Sequence, residues 1–231
     1  MEAIWEGLRE AIRLIATGDA TLREIALRTI LVSGCATLLA MAAGVPAGYA
    51  LARTRFRGRT VLLALVNTGM GMPPVVIGLV VWLLIVRSGP FGGLELVYTK
   101  RAIVIAQFLI ATPMVAGFTV AAVQSLPREL PDLLATLGAG RLRTLWLVSR
   151  EAQLGLLAAV MAGFGAVVSE VGASMTVGGN LPGSTRVLTT AIVTETSRGD
   201  NERAIALGII LLAMAFAVNL LLTVAQHRRV R

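Results

Sequence analysis

The chain has 231 residues, of which 56% are hydrophobic and 15% charged, with a mean hydropathy of +0.79 and a formal net charge of +8. Soluble domains carry roughly 25% charged residues, so this composition excludes a soluble fold and defines an integral membrane chain. The positive balance does not indicate a nucleic-acid partner, because the arginines sit at the ends of apolar stretches, where they meet lipid headgroups.

In chain order, residues 1–18 come first. Ile4, Trp5, Leu8, Ala11, Ile12 and Ile15 follow helical spacing, with Glu2, Glu6, Arg9, Glu10 and Arg13 opposite, which predicts an amphipathic helix. It lies either at the membrane interface or against the protein's own spans. The acids among its bases do not fit a cleaved signal peptide. Gly18 breaks this helix and Asp19 is placed to cap the next.

Five transmembrane helices are predicted, at about 29–52, 60–86, 102–125, 153–177 and 204–226. Each apolar stretch exceeds the ~18 residues that mark a spanning helix, whereas barrel strands are about 10 residues with alternating character. Cys35 lies inside the first span and has no partner for an intrachain disulfide. Gly44 and Gly48 have the spacing that lets helices approach closely, and Pro46 and Pro113 are expected to interrupt the first and third spans. The second span contains NTGMGMPP at 67–74, too rich in glycine and proline to stay a regular helix, so its broken backbone must be covered by protein or line a polar cavity. Asn67, Gly71, Pro73 and Pro74 are therefore candidate pathway residues.

Between the third and fourth spans, residues 127–151 form a loop of helix-forming segments broken at Gly138, Ala139 and Gly140 and rich in arginine. An ordered basic loop on one face of a membrane protein is suited to docking a partner, since a disordered linker would serve merely to connect spans. In the fourth span, SEVGAS at 169–174 holds Glu170, the one ionisable residue well inside an apolar stretch. Such a carboxyl needs a hydrogen-bond partner, a proton or water; it is either a structural group bonded to neighbouring helices or part of a proton relay. Ser169 and Ser174 flank it. Beyond the span, Asn180, Ser184, Thr185 and Arg186 precede an eight-residue apolar run too short to cross a bilayer, which forms either a short or re-entrant helix at the outer mouth or a solvated loop. A basic tail, 227–231, ends the chain.

Arg53, Arg55, Arg57 and Arg59, the 127–151 loop and the tail share one side of a five-span chain. The 53–59 turn and the tail are dense in positive charge and free of acids, whereas the other face dilutes its bases with carboxylates, which places their side in the cytoplasm, with the N-terminus outside. Lys100 is the only lysine and does not follow a phosphate-binding glycine loop, and His227 is the only histidine. No stand-alone enzyme and no cofactor or metal in this chain is expected.

The 127–151 loop resembles the shared cytoplasmic motif of the transmembrane subunits of type I ABC importers, E-A-A, three residues, G, nine residues, I-x-L-P. Asp132, Leu133 and Leu134 stand for E-A-A, with Ala135, Thr136, Leu137, Gly138 and Ala139 following; Val148 takes the I position and Arg150 and Glu151 replace L-P. Within that family, SEVGA at 169–173 resembles molybdate and sulfate permeases, and the text from about 25 to 225, including the Arg150 and Glu151 departure, is similar to tungstate permease subunits. The resemblance implies an all-α permease fold, docking of an ATPase by Asp132, Ala135, Thr136, Leu137, Gly138, Ala139 and Arg141, and a pathway through Asn67, Gly71, Pro73, Pro74, Ser169, Glu170, Ser174, Asn180 and Arg186. It further implies a second copy of the chain, two ATP-binding subunits that hold ATP and Mg, and an extracytoplasmic oxyanion-binding protein in a prokaryotic cell membrane. Rival readings are a permease for molybdate, sulfate or another solute, a proton-coupled carrier using Glu170, and a membrane-embedded enzyme.

Overall fold

The computed structural model describes residues 2–230, with side chains described for 4–140 and 142–224. The side chains of Arg141 and of the predicted tail at 227–231 lie outside the described residues. Among the described residues every regular element is helical. In chain order these are α1 (Glu2–Ala16), α2 (Ala20–Arg53), α3 (Arg59–Met70), α4 (Pro74–Ile85), a 3-10 turn at Gly92–Leu94, α5 (Lys100–Gln124), α6 (Leu130–Thr136), α7 (Arg141–Glu151), α8 (Gln153–Val168), α9 (Gly172–Gly178), α10 (Leu188–Ser197) and α11 (Asn201–Val230).

Among the described residues three helices, α2, α5 and α11, are long and apolar enough to cross a membrane unbroken. The predicted second span is two helices, α3 and α4, meeting at 104°. Its two prolines suit that break. Pro73 and Pro74 occupy the N-cap and first turn of α4, where a helix has spare N–H groups, and neither brings one. The predicted fourth span also differs from a continuous helix: α8 stops at Val168, and α9 starts anew at Gly172. At its other end α8 follows α7 through a 75° bend.

The prolines in α2 and α5 act otherwise than expected. Both helices run on through Pro46 and Pro113. Each removes one backbone donor, but flanking turns are held by packing, and membrane helices tolerate this loss where neighbours supply the support. Pro113 itself packs so close to α3 that a Cβ on Gly69 would lie 2.8 Å from its ring.

α5 is the centre of the bundle and packs on α2, α3, α4, α8 and α9. Gly44 of α2 lies against Thr112 and Val115, and Gly48 against Ala116 and Thr119, so α2 and α5 run in the same direction. Gly155 of α8 meets Ala122 and Gly163 meets Val115, so α8 runs against both. The buried core follows from this arrangement, with Ala40, Ile103, Ala106, Ala111, Val115, Ala159 and Val167 closing its centre. Small residues bring backbones close enough for dispersion contacts, the main packing force where lipid is as apolar as protein.

α1 packs on α11, burying Ala11 and Leu14 with Ile25 and Leu207. Ile4, Trp5, Ile12 and Ile15 form a second, exposed apolar stripe. Thus the helix both rests on its own spans and offers lipid a face. Asp19 caps α2 as its sequence position suggested, its carboxylate accepting from Leu22 N–H at 2.7 Å.

A side chain at position 48 has nowhere to go, since its Cβ would lie 2.5 Å from the Ala116 carbonyl oxygen and 2.7 Å from Thr119 Cβ. Gly48→Val is expected to destabilise the purified protein by about 1–3 kcal/mol or more, read as a lowered thermal midpoint. Gly208→Ala, with open space around its Cβ, should leave the midpoint unchanged or slightly raised.

Candidate functional site: two broken helices and a basic hairpin

The two interruptions meet. A Cβ on Gly172, first residue of α9, would lie 2.3 Å from Val75 Cγ2, and one on Gly78 would lie 2.6 Å from Ala173 Cα. The first turns of α4 and α9 therefore lie backbone to backbone, and the sequence-predicted segments 67–74 and 169–174 form one locus within the bundle. Glycine is required on both sides of that contact.

Breaking a helix at membrane depth frees polar backbone groups, each costly unless bonded. Here protein groups take them up. Gln107 of α5, 2% exposed, donates from Nε2 to the Val167 carbonyl at 3.1 Å and to Ser174 Oγ at 3.4 Å. Ser169 Oγ donates to Gly165 O at 2.8 Å. Glu170 Oε1 accepts from Ala173 N–H at 2.7 Å, capping α9, and Thr189 Oγ1 donates to the Glu170 carbonyl at 2.9 Å. Glu170 is 8% exposed, and its carboxyl thus serves the short helix that follows it. Ser174 is buried beside Gln107, whereas Asn67, Gly71, Pro73 and Ser169 are exposed around the break and Pro74 is partly covered.

Asn180 and Arg186 belong to a separate cluster at the far end of α9. Asn180 Nδ2 donates to Thr194 Oγ1 at 2.7 Å and its Oδ1 accepts from Arg186 Nε at 3.2 Å. Arg28, buried in α2, donates to the Arg186 carbonyl at 2.8 Å and pairs with Glu24, while Thr29 Oγ1 accepts from Leu188 N–H at 2.9 Å. The eight-residue apolar run is thereby a helix, α10, with Leu188, Thr189, Thr190 and Ala191 buried. Arg186 is held by this network and does not reach the helix breaks through any of these bonds. Gln107, Thr29 and Arg28 were missed by sequence reasoning. Gln107 had a usable signal, a lone amide inside an apolar stretch; Arg28 stood one residue outside one.

At the opposite end of α5 lies the hairpin α6–α7. Leu130 and Leu134 pack with Val148 and Ala152 against Val123 and Tyr49, seating it on the ends of α2 and α5. Gly138 has φ +78, and α6 ends with Gly138 N–H bonded to Ala135 O and Ala139 N–H to Leu134 O, both at 3.0 Å. That left-handed C-cap is the glycine's function. Asp132 sits in the first turn of α6, where its charge suits the helix N-terminus. Asp132, Ala135, Thr136, Leu137 and Gly138 are exposed and Ala139 is partly covered. Leu133, Leu137, Leu142 and Trp146 are also more than half exposed, an apolar surface on a basic hairpin that the sequence did not reveal. Arg150 stacks over Trp146 with its guanidinium carbon 5.4 Å from the ring centroid, giving the position a local role.

The family model described as "Binding-protein-dependent transport system inner membrane component" matches residues 44–231, and the chain belongs to that family. It is a transport subunit of an ABC importer, whose ATP hydrolysis resides in separate subunits. A "Probable anion ABC transporter permease protein" of Haloferax volcanii is 40% identical over 90% of this chain and 93% of its own length. The "Tungstate uptake system permease protein TupB" of Peptoclostridium acidaminophilum is 39% identical over 95% and 96%. A solved structure of the MetNI methionine ABC transporter in inward-facing conformations superposes with a TM-score of 0.69, covering 90% of this chain and 93% of that one at 18% identity. It shares the all-helical permease fold.

The Glu170 cap gives a prediction. Glutamine keeps the acceptor oxygen, so Glu170→Gln should leave stability near wild type and lower transport only modestly. Glu170→Ala should cost about 1 kcal/mol through the lost cap. Equal thermal midpoints for the Ala and Gln variants would remove the capping role.

Proposed function

We propose that this chain is the permease of an ATP-driven tungstate importer and works as two copies with two ATP-binding subunits and an extracytoplasmic oxyanion-binding protein. The observation that carries the substrate is the 39% identity, along nearly the whole chain, to a tungstate uptake permease. The molybdenum permease ModB of Escherichia coli stands further off at 27% over 83% of this chain. Tungstate and molybdate are tetrahedral dianions of similar size, so discrimination between them belongs mainly to the binding protein.

The geometry supports a division of labour. ATP and Mg bind the partner subunits, and closure of those subunits moves the α6–α7 hairpin through Asp132, Ala135, Thr136, Leu137, Gly138, Ala139 and Arg141. The exposed Leu133, Leu137, Leu142 and Trp146 suit a surface that a partner covers. α8 follows α7 directly and ends at the Ser169 break, so a shift of the hairpin is delivered to the seam between α4 and α9. Asn67, Gly71, Pro73, Pro74, Ser169, Glu170 and Ser174 belong to that seam, and Asn180 and Arg186 to the outer mouth. Neutral hydroxyls, amides and helix ends let a dianion pass without trapping it. The arginine-rich end, with the C-terminus, faces the cytoplasm and the N-terminus lies outside; in a Cys35→Ala background, impermeant thiol reagents should label Ser184→Cys but not Gly140→Cys in intact cells.

Reconstituted with its ATPase and binding protein, the complex should import tungstate only with ATP. Gly138→Val strains a left-handed backbone by about 1–2 kcal/mol, and Gly138→Asp adds a carboxylate to the docking surface. Both should assemble in the membrane yet lose transport and substrate-stimulated ATP hydrolysis. Uptake that follows sulfate and ignores tungstate and molybdate would refute the substrate, and normal coupling in Gly138→Asp would refute the docking role.

A further inference from the structure

A cavity of about 690 Å³ opens beside the hairpin, at the end of the bundle remote from Asn180. Its walls come from the end of α2, the start of α3, the end of α5 and the lead into α6. Four guanidinium side chains line it, Arg53, Arg55, Arg59 and Arg128, against one carboxylate, Asp132. None of the four takes part in an ion pair among the described residues.

Arg53 is the informative one. Its Nη1 donates weakly to the Pro127 carbonyl at 3.5 Å, while Nε and Nη2 are buried and have no acceptor among the described residues. Arg28, buried in α2, leaves only its Nε without an acceptor among the described residues, and both of its terminal nitrogens are engaged, by Glu24 and by the Arg186 carbonyl. Arg59 is held in place by its Nε bond to Leu51 O at 2.8 Å. Buried charged donors without acceptors are strongly destabilising. Adjacent Nε and Nη2 groups form the planar fork that binds two oxygens of one oxyanion.

We propose that this cavity binds a tetrahedral oxyanion, gripped by the free edge of Arg53 and held by the positive field of Arg55, Arg59 and Arg128. The proposal goes beyond the transport reading and holds whichever solute the pathway carries. The same chemistry is offered by a free dianion and by the phosphate of an anionic lipid headgroup. Either would join the end of α2 to the segment leading into the hairpin, because Arg53 lies on one and Arg128 on the other.

The test uses the permease with its ATPase subunits, without the binding protein, in nanodiscs of phosphatidylcholine. Sodium phosphate or tungstate should raise the thermal midpoint above that in sodium chloride of equal ionic strength. In Arg53→Gln the concentration for half the effect should rise about tenfold or more. Arg128→Gln, an exposed position whose replacement does not threaten folding, should show a smaller rise. Phosphatidylglycerol nanodiscs separate the sources: a headgroup occupant raises the midpoint beforehand and abolishes the response to free oxyanion, whereas a free occupant leaves that response intact. A midpoint indifferent to oxyanion and to lipid charge, as when an ATPase carboxylate fills the cavity, would overturn the proposal. So would equal responses in wild type and both variants.

Discussion

The constraint on which this structure depends is the satisfaction of backbone polar groups where helices break inside a membrane. Two spans are interrupted, at Gly71 to Pro73 and at Ser169 to Val171. Water is excluded from hydrocarbon, so the released groups must be bonded by protein or face an aqueous path. The first break limits the problem by placing two prolines where N–H groups would be left over. The second is answered by Gln107, Ser169, Thr189 and the Glu170 carboxyl. Gln107 and Thr189 are buried, so removing either strips a side-chain donor from a carbonyl in a low-dielectric setting.

That requirement explains the glycine pattern. Gly78 and Gly172 bring α4 and α9 together, and Gly44, Gly48, Gly155 and Gly163 bring α2 and α8 onto α5. With its neighbours that close, α5 can present Gln107 to the Val167 carbonyl from one face while supporting Gly69 of α3 with Pro113 from another. The same helix ends beneath the α6–α7 hairpin. A single central helix thus borders the broken seam and the α6–α7 hairpin, while α8, 16 residues or about 24 Å long, connects the two directly.

Much of this was legible in the sequence. Five apolar stretches, the proline-glycine break in the second span and the break between two short helices at Gly138 to Gly140 all follow from residue type and spacing. The interruption after Val168 was not, because SEVGAS is flanked by apolar residues whose hydropathy is indifferent to a helix that stops and restarts. Pro46 and Pro113 misled in the opposite direction: a proline signals a lost hydrogen bond, and whether the helix survives depends on neighbours that are remote in sequence. The arginine cavity was also hidden. Arg53, Arg55, Arg59 and Arg128 read as a charge cluster at span ends, and only the fold shows that Arg53 turns unpaired donors inward.

If the broken seam lines a pathway, as proposed, its exposed polar residues Asn67 and Ser169 face water. The most direct measurement is thiol modification of Asn67→Cys and Ser169→Cys, in a Cys35→Ala background, within the reconstituted complex. Both should react with a water-soluble maleimide, at rates that change when ATP binds, while Leu212→Cys on α11 reacts only with a lipid-soluble one. Reaction of positions 67 and 169 with the lipid-soluble reagent alone, at a rate blind to ATP, would show that the seam faces lipid and contradict the account.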